Sequence, residues 1–193
     1  QGRDGNFTMK TEESDTTLIL SLKEAAKNGS VERLRELLTV CQQQHVNSSS
    51  ASTAGYTPLH YAAWNGMSKC IELLVDAKGD VNTTDRYGRT PLHLAARMGM
   101  IAVMEQLVSL GARVDARQEL SGSPLHYAAL EGHTAACQKL LKLRADLHAV
   151  NEAGKTAIML AESRDHHNTI EYLKHAAAKS VPPPTKSERE WTM

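Results

Sequence analysis

Thr57-Pro58-Leu59-His60 opens a motif that returns along the chain every 33 residues. It recurs as Thr90-Pro91-Leu92-His93 and Ser123-Pro124-Leu125-His126, and in a weaker form as Thr156-Ala157-Ile158-Met159. A pair of alanines follows each of the first three tetrads, and a glycine follows each pair. Self-similarity at a fixed period of this length is typical of a chain built from stacked modules.

Each copy of the motif carries the signals of two short helices. Thr or Ser before Pro is a favoured N-cap followed by a favoured first helical residue. The glycine after the alanines, such as Gly66, can end that helix in a left-handed conformation. A segment with an apolar stripe, such as 71–75, then predicts the second helix. Further glycines suit the tips of connecting hairpins, where positive φ is needed: Gly55, Gly88 and Gly154.

The pattern [ST]-P-L-H-[LY]-A-A-x-x-G resembles the ankyrin repeat, and the resemblance covers residues 18–179. It implies an all-α solenoid in which each unit has a β-hairpin at a right angle to two helices and stacks on the next. We number the expected units first to fifth, and they cover about 17–51, 52–84, 85–117, 118–150 and 151–179. An N-terminal tail, 1–16, and a Pro-containing C-terminal tail, 180–193, flank the predicted repeat domain, 17–179.

The first and last units depart from the pattern in ways that suit the ends of a stack. Lys23 and Glu24 follow Leu22 in a degenerate first copy, and a Gln- and Ser-rich loop follows it. Since the outer faces of a repeat array meet water, we expect the polar residues of both end units to be solvated. Those of the last unit are Glu162, Asp165, His166 and His167.

The turn after the second helix is a further departure. Gly111 keeps the usual glycine there, whereas Lys78 and Arg144 replace it in the second and fourth units. These two residues are predicted either to adopt a strained left-handed conformation or to form a different turn.

The hairpin tip of the fourth unit also departs from the pattern. Its sequence, Leu120-Ser121-Gly122, shifts the tip glycine by one residue, which predicts a hairpin tip of different shape.

The composition of the 193 residues excludes several classes of function. Lys plus Arg and Asp plus Glu both number 22, so zero net charge argues against nucleic-acid binding. Apolar residues make up 41%, enough for a core, and the sequence has neither a membrane span nor a signal-peptide pattern. Cys41, Cys70 and Cys137 favour free thiols in the cytoplasm or nucleus, and their spacing argues against a structural zinc.

No catalytic motif is present, so the sequence predicts a protein that is not an enzyme and needs no cofactor or metal. His60, His93 and His126 occupy the same position in successive units, and a periodic copy is typical of a structural role. The resemblance implies hydrogen bonds from each histidine to the Thr or Ser side chain and nearby backbone. His166 and His167 are adjacent and cannot share a helix face, which argues against a metal site.

Asn82 is a candidate modification site. Leu74 and Asp80-Val81-Asn82 resemble the sequence that asparaginyl hydroxylases modify in many ankyrin proteins. The alternative is that Asn82 stabilises its hairpin, because Asn is a common turn residue.

The resemblance also implies a binding surface on the concave side, built from hairpin tips and first helices. The candidates in this register are Tyr56, Trp64, Asn65, Arg86, Tyr87, Arg89, Arg97, Met98, Arg117, Glu119, Leu130 and Glu131. Trp, Tyr and Arg are the residues most enriched at interface hot spots, and arginine matches carboxylate geometry. The alternative is that the arginines only keep the array soluble and the tyrosines pack neighbouring tips.

We therefore expect a groove over the second to fourth units that binds a protein or peptide partner. Three aromatic side chains would hold an apolar or aromatic anchor, namely Tyr56, Trp64 and Tyr87. Three arginines would pair with acidic residues of the partner, namely Arg86, Arg89 and Arg97. Three acidic residues would favour basic residues at the far end, namely Glu119, Glu131 and Glu152.

Two other functions and one tail contact remain open. The array could be an inhibitory or regulatory subunit of an enzyme such as a kinase, as some ankyrin-type inhibitors are. It could also sense a phosphorylated ligand through Trp64 and Arg97. In the C-terminal tail, Trp191 could anchor docking or self-association. At the other end, Gln1-Gly2 is expected to be the remnant of a cleaved tag, with Met9 nearer the natural start.

Overall fold

The computed structural model describes residues 5–49, 52–118 and 122–180. Within these ranges the chain forms eleven α-helices and no strand, apart from an isolated antiparallel bridge between Gln118 and Gly122. The helices are α1 (Gly5–Asn28), α2 (Val31–Val40), α3 (Gln43–Val46), α4 (Pro58–Trp64), α5 (Ser68–Asp76), α6 (Pro91–Arg97), α7 (Ile101–Ser109), α8 (Pro124–Leu130), α9 (Thr134–Lys142), α10 (Ala157–Glu162) and α11 (His167–Ser180).

Apart from α3, the helices pack in pairs that stack into two layers. The pairs are α1 with α2, α4 with α5, α6 with α7, α8 with α9, and α10 with α11. The first helices of successive pairs contact one another in chain order, and the second helices do the same. This architecture is the all-α repeat solenoid that the sequence predicted. The segments between pairs are hairpin-like turns rather than paired strands, closed by bonds such as the Asp85 N–H to the Arg89 carbonyl at 3.0 Å.

The tetrad of each internal unit starts a helix in the same way. In α4, α6 and α8 the N-cap Thr or Ser side chain accepts the backbone N–H of the third helical residue, which is histidine. The histidine Nδ1 accepts the N–H of the N-cap residue in return, at 3.2 Å for Thr57 and 3.1 Å for Thr90. Proline occupies the first turn, where its missing N–H costs no hydrogen bond. The repeated sequence signal is therefore a reciprocal helix cap.

The core lies between the two helix layers and is built from small and branched apolar side chains. The paired alanines have no exposed surface, which lets the first helices approach closely: Ala62, Ala63, Ala95, Ala96, Ala128 and Ala129. The second helices add buried side chains such as Ile71, Leu107 and Leu140. Cys70 and Cys137 are free and buried among them, and burial raises the pKa of the Cys137 thiol to about 12. That thiol therefore packs as a small neutral side chain.

The turns after the second helices are left-handed at all three positions discussed above. Lys78 has φ 67° and Arg144 has φ 73°, and Gly111 has φ 97°. The first of the two predicted alternatives is therefore confirmed. A side chain at such a φ is strained, so the fold holds Lys78 and Arg144 in place through the helices on either side.

The N-terminal end differs from the expectation in three places. Helix α1 begins at Gly5, inside the segment predicted as a tail. Helix α3 lies in the segment predicted as a Gln- and Ser-rich loop, and it is capped by a bond from the Gln42 N–H to His45 Nδ1 at 3.1 Å. Lys23 is 5% exposed, so the prediction that it is solvated was wrong. It occupies the register position of His60, which faces the neighbouring unit, and burial lowers the pKa of its amine to about 8.

The C-terminal end agrees with the expectation at most positions. Glu162, Asp165 and His167 are exposed. His166 is half-buried, and its Nε2 donates to the Leu130 carbonyl at 3.0 Å. The prediction of a solvated His166 was therefore wrong, because this side chain joins the fifth unit to the fourth.

Candidate functional site

The hairpin tip of the third unit is organised by a buried carboxylate, Asp85. Its Oδ1 accepts the N–H groups of Tyr87 at 2.8 Å and of Arg89 at 2.9 Å. Its Oδ2 accepts Arg89 Nε at 2.6 Å. The Asp85 side chain is 0% exposed and that of Arg89 is 12% exposed. The ion pair therefore fixes both the turn and the direction of the arginine side chain.

Two tyrosines contact the same guanidinium group. Arg89 Nη2 donates to the Tyr56 hydroxyl at 3.0 Å. The Arg89 Cζ lies 5.4 Å from the centre of the Tyr56 ring and 4.8 Å from that of Tyr87, both within cation–π range. We call Tyr56, Asp85, Tyr87 and Arg89 the tip cluster. Its outer face is Tyr87, which is 55% exposed.

A second group of side chains crosses three units at the ends of their first helices. Trp64 ends α4, Arg97 ends α6 and Glu131 follows α8. The Arg97 Cζ lies 5.5 Å from the centre of the Trp64 ring, and its Nε donates to Glu131 Oε1 at 3.0 Å. The side chains of Arg97 and Glu131 are 38% and 36% exposed. We call these three residues the inner-helix row.

A cavity of about 310 Å³ lies where the tip cluster and the inner-helix row meet. Its lining combines members of both groups with residues of the fourth and fifth units: Tyr87, Arg89, Arg97, Gln118, Tyr127, Leu130, Glu131 and Arg164. Two of the lining residues are buried, and the Tyr127 hydroxyl donates to Gln118 Oε1 at 3.3 Å. The surface is therefore concave, polar and rich in guanidinium groups.

The other predicted surface residues have more local roles. Asn65 caps α4 through a bond from its Nδ2 to the Tyr61 carbonyl at 2.9 Å. Met98, at the same register position of the next unit, is 36% exposed. Arg86 is exposed, but its Nη1 donates to the Thr53 carbonyl at 2.9 Å and joins adjacent tips. Arg117 is exposed, and neither it nor Arg86 is among the residues that line the cavity. Glu119, Leu120 and Trp191 lie outside the described residues.

A comparison with protein-family models matches residues 22–118 and 115–182 to a model described as ankyrin repeats in three copies. The chain belongs to the ankyrin-repeat family. Members of this family generally mediate protein–protein interaction and are typically not enzymes. A comparison with curated protein sequences found no match.

The tetrad histidines of this ankyrin array connect each unit to the tip of the next. His60 Nε2 donates to the Arg89 carbonyl at 2.9 Å, and His93 Nε2 donates to the Gly122 carbonyl at 3.1 Å. His126 makes the equivalent bond to the Lys155 carbonyl. Since Nδ1 accepts the N-cap N–H, the proton of each neutral ring is on Nε2. Burial lowers the pKa of His60 and His93 to about 4 and also lowers that of His126, so all three act as neutral donors at pH 7.

Asn82 also joins adjacent units, at the turn that follows the second helix of the third unit. Its Nδ2 donates to the Gly111 carbonyl at 3.0 Å, and its Oδ1 accepts the Arg113 N–H at 2.9 Å. Asn47 bonds in the same way to the Lys78 carbonyl and the Asp80 N–H. These contacts support the stabilising role for Asn82, and its hydroxylation stays a prediction.

Sequence reasoning missed two parts of this surface. Asp85 was not recognised as the centre of the tip, although it stands four residues before Arg89 and in register with Ser52 and Asn151. These two residues accept the N–H four positions later, as Asp85 does. His133 was also missed: its Nε2 donates to the Arg97 carbonyl at 2.9 Å and supports the inner-helix row.

Within residues 5–49, 52–118 and 122–180, no group of three or more His, Cys, Asp or Glu side chains could hold a metal ion. No helix in the same ranges has the length and apolar character needed to cross a membrane.

Proposed function

We propose that this ankyrin array binds a protein or peptide partner on its concave face, over the second to fourth units, and that it has no enzymatic activity of its own. The observation that carries the proposal is the meeting of the tip cluster and the inner-helix row around one cavity. Aromatic rings and guanidinium groups supply large contact area with directional polar groups, which is the composition of interface hot spots.

The partner would present an aromatic or apolar anchor together with acidic residues. Tyr87 offers an exposed ring at the tip, and Trp64 offers a half-buried ring next to the Arg97 guanidinium. Arg97 is half-exposed and can turn toward a partner carboxylate. Arg89 is held by Asp85, so it contributes to binding only by supporting the ring of Tyr87. Glu152 is exposed in the fifth unit and would favour basic residues at the far end.

A phosphorylated ligand is the second candidate, because three arginines line the cavity. Binding of such a ligand would weaken steeply with salt and would need no protein partner. For either partner we propose a cytoplasmic or nuclear location, which the three free cysteines favour.

Selection from a phage library of random 16-residue peptides tests the proposed function. We expect the wild-type array to retain a defined set of peptides. The affinity of Tyr87→Ala for these peptides should be lower by about tenfold or more. Val40→Ala is the matched control, because Val40 is an apolar residue that is 68% exposed on α2, away from the concave face. Retention of no peptide by the wild-type array, or equal retention by the two variants, would contradict the proposal.

A further inference from the structure

The cavity at the centre of the concave face draws its walls from three successive units. Tyr87 and Arg97 come from the third unit, Leu130 and Glu131 from the fourth, and Arg164 from the fifth. Its volume of about 310 Å³ is at the small end of the range for ligand pockets. A space of this size suits one inserted side chain better than a larger ligand.

The charges around the cavity are not balanced. Arg89 is neutralised by the buried Asp85, and Arg97 faces Glu131. Arg164 is exposed at the rim, and no carboxylate of the described chain forms an ion pair with it. One positive charge is therefore left uncompensated where the cavity opens.

Hydrogen-bond donors are also left over at the same place. Arg97 bonds to Glu131 through Nε alone, and within the described chain its two Nη atoms have no hydrogen-bond partner. The guanidinium fork matches a carboxylate in a bidentate geometry, and such charge-assisted bonds are stronger than neutral ones. The cavity therefore has both the charge and the donors to receive an anionic group.

We propose that the cavity binds an Asp or Glu side chain of the partner peptide, and that Arg164 and Arg97 determine this specificity. The inference rests on the proposed function and names the side chain that enters the cavity. The carboxylate would lie toward Arg164 and the Nη atoms of Arg97, with its methylene groups against Leu130. Tyr87 would contact the neighbouring residue of the peptide.

The charge of the cavity favours a carboxylate over a phosphate group. The Glu131 carboxylate lines the same cavity and repels any anion that enters. Only one positive charge is uncompensated there, so a doubly charged phosphate would keep one negative charge unpaired, and removing that second charge from water adds to the cost of binding. The balance therefore favours Asp or Glu. Because Glu131 already bonds to Arg97, it competes with the carboxylate of the peptide. Removal of the Glu131 charge should therefore strengthen binding of the peptide.

The test uses the full chain and the tightest peptide selected from the random library. Titrations compare that peptide with its Asp-to-Asn or Glu-to-Gln version, on the wild type, Arg164→Gln and Glu131→Gln. Arg113→Gln is the matched control, because Arg113 is also exposed but does not line the cavity. Equal melting temperatures would show that all variants are folded.

We expect Arg164→Gln to weaken binding of the acidic peptide about tenfold and Glu131→Gln to strengthen it severalfold. Arg113→Gln should leave it unchanged. Neutralising the peptide should cost about tenfold on the wild type and little on Arg164→Gln, because the lost partners are the same pair.

Four results would overturn the inference. Selected peptides without an acidic residue, or unchanged binding by Arg164→Gln, would remove the acidic subsite; if Tyr87→Ala still abolished binding, the proposed function would stand. Tighter binding of a phosphoserine version than of the Glu version would assign the cavity to phosphate. Failure of the wild-type array to retain any peptide would instead reject the proposed function, and this inference with it.

Discussion

The tip cluster and the inner-helix row use the same chemistry in two different environments. Each contains an arginine, a carboxylate and an aromatic ring contributed by neighbouring units. In the tip cluster the Arg89 and Asp85 side chains are 12% and 0% exposed, whereas in the inner-helix row Arg97 and Glu131 are 38% and 36% exposed. Burial makes the first pair obligatory, since an unpaired charge there cannot be solvated.

The difference indicates that the two groups have different roles: the tip cluster stabilises the fold, and the inner-helix row is available for binding. A partner cannot take Arg89 from Asp85 without leaving a buried carboxylate unpaired, so the tip cluster presents only its outer ring, Tyr87. The inner-helix row is half in water, and exchange of Glu131 for another carboxylate costs little. We therefore expect a partner to exchange contacts with Arg97 and Arg164, while the tip cluster keeps its conformation.

The largest expected effect is the loss of the buried carboxylate. Asp85→Ala removes the partner of Arg89 Nε and two acceptors of tip N–H groups, so we expect the free energy of unfolding to fall by about 3–5 kcal/mol. Urea denaturation followed by circular dichroism measures it. A loss below about 1 kcal/mol would show that the tip cluster is no more obligatory than the inner-helix row.

The second expected effect is a loss of stability at the tip cluster when the pH is lowered. His60 Nε2 holds the Arg89 carbonyl, and burial lowers the pKa of His60 and His93 to about 4. Because the ordinary value is about 6.5, the unfolded chain binds protons that the folded chain does not. Stability is therefore fully present above pH ~6.5 and is lost as the pH falls toward 4, by roughly 3 kcal/mol for each histidine.

His60→Gln provides the check on this pH dependence. Gln can still donate to a carbonyl but does not titrate, so the variant should lose less stability between pH 7 and pH 4 than the wild type. Urea denaturation at a series of pH values measures both slopes. Parallel slopes would mean that the buried histidine is not the titrating group.

The sequence predicted the scaffold well because its signals are local and repeated. Thr57-Pro58 and its copies encode a cap, and the paired alanines encode the close packing of first helices. The contacts of Arg89 could not be predicted in this way, since they depend on how the tip of one unit lies against Tyr56 of the unit before. Lys23 was misjudged for a related reason: the identity of the residue indicated solvent, whereas its register position places it against the next unit.

The smallest effect is expected in the inner-helix row, where the two groups can be compared most directly. Glu131→Gln should change the free energy of unfolding by less than about 1 kcal/mol, because a half-exposed ion pair gains little over its hydration. A double-mutant cycle with Arg97→Gln isolates the coupling between the two side chains, and about 1 M NaCl should remove most of it. The same cycle on Asp85 and Arg89 should keep most of its coupling in salt, since the Asp85 side chain is fully buried and that of Arg89 is 12% exposed. Equal salt sensitivity of the two couplings would mean that burial does not distinguish the tip cluster from the inner-helix row.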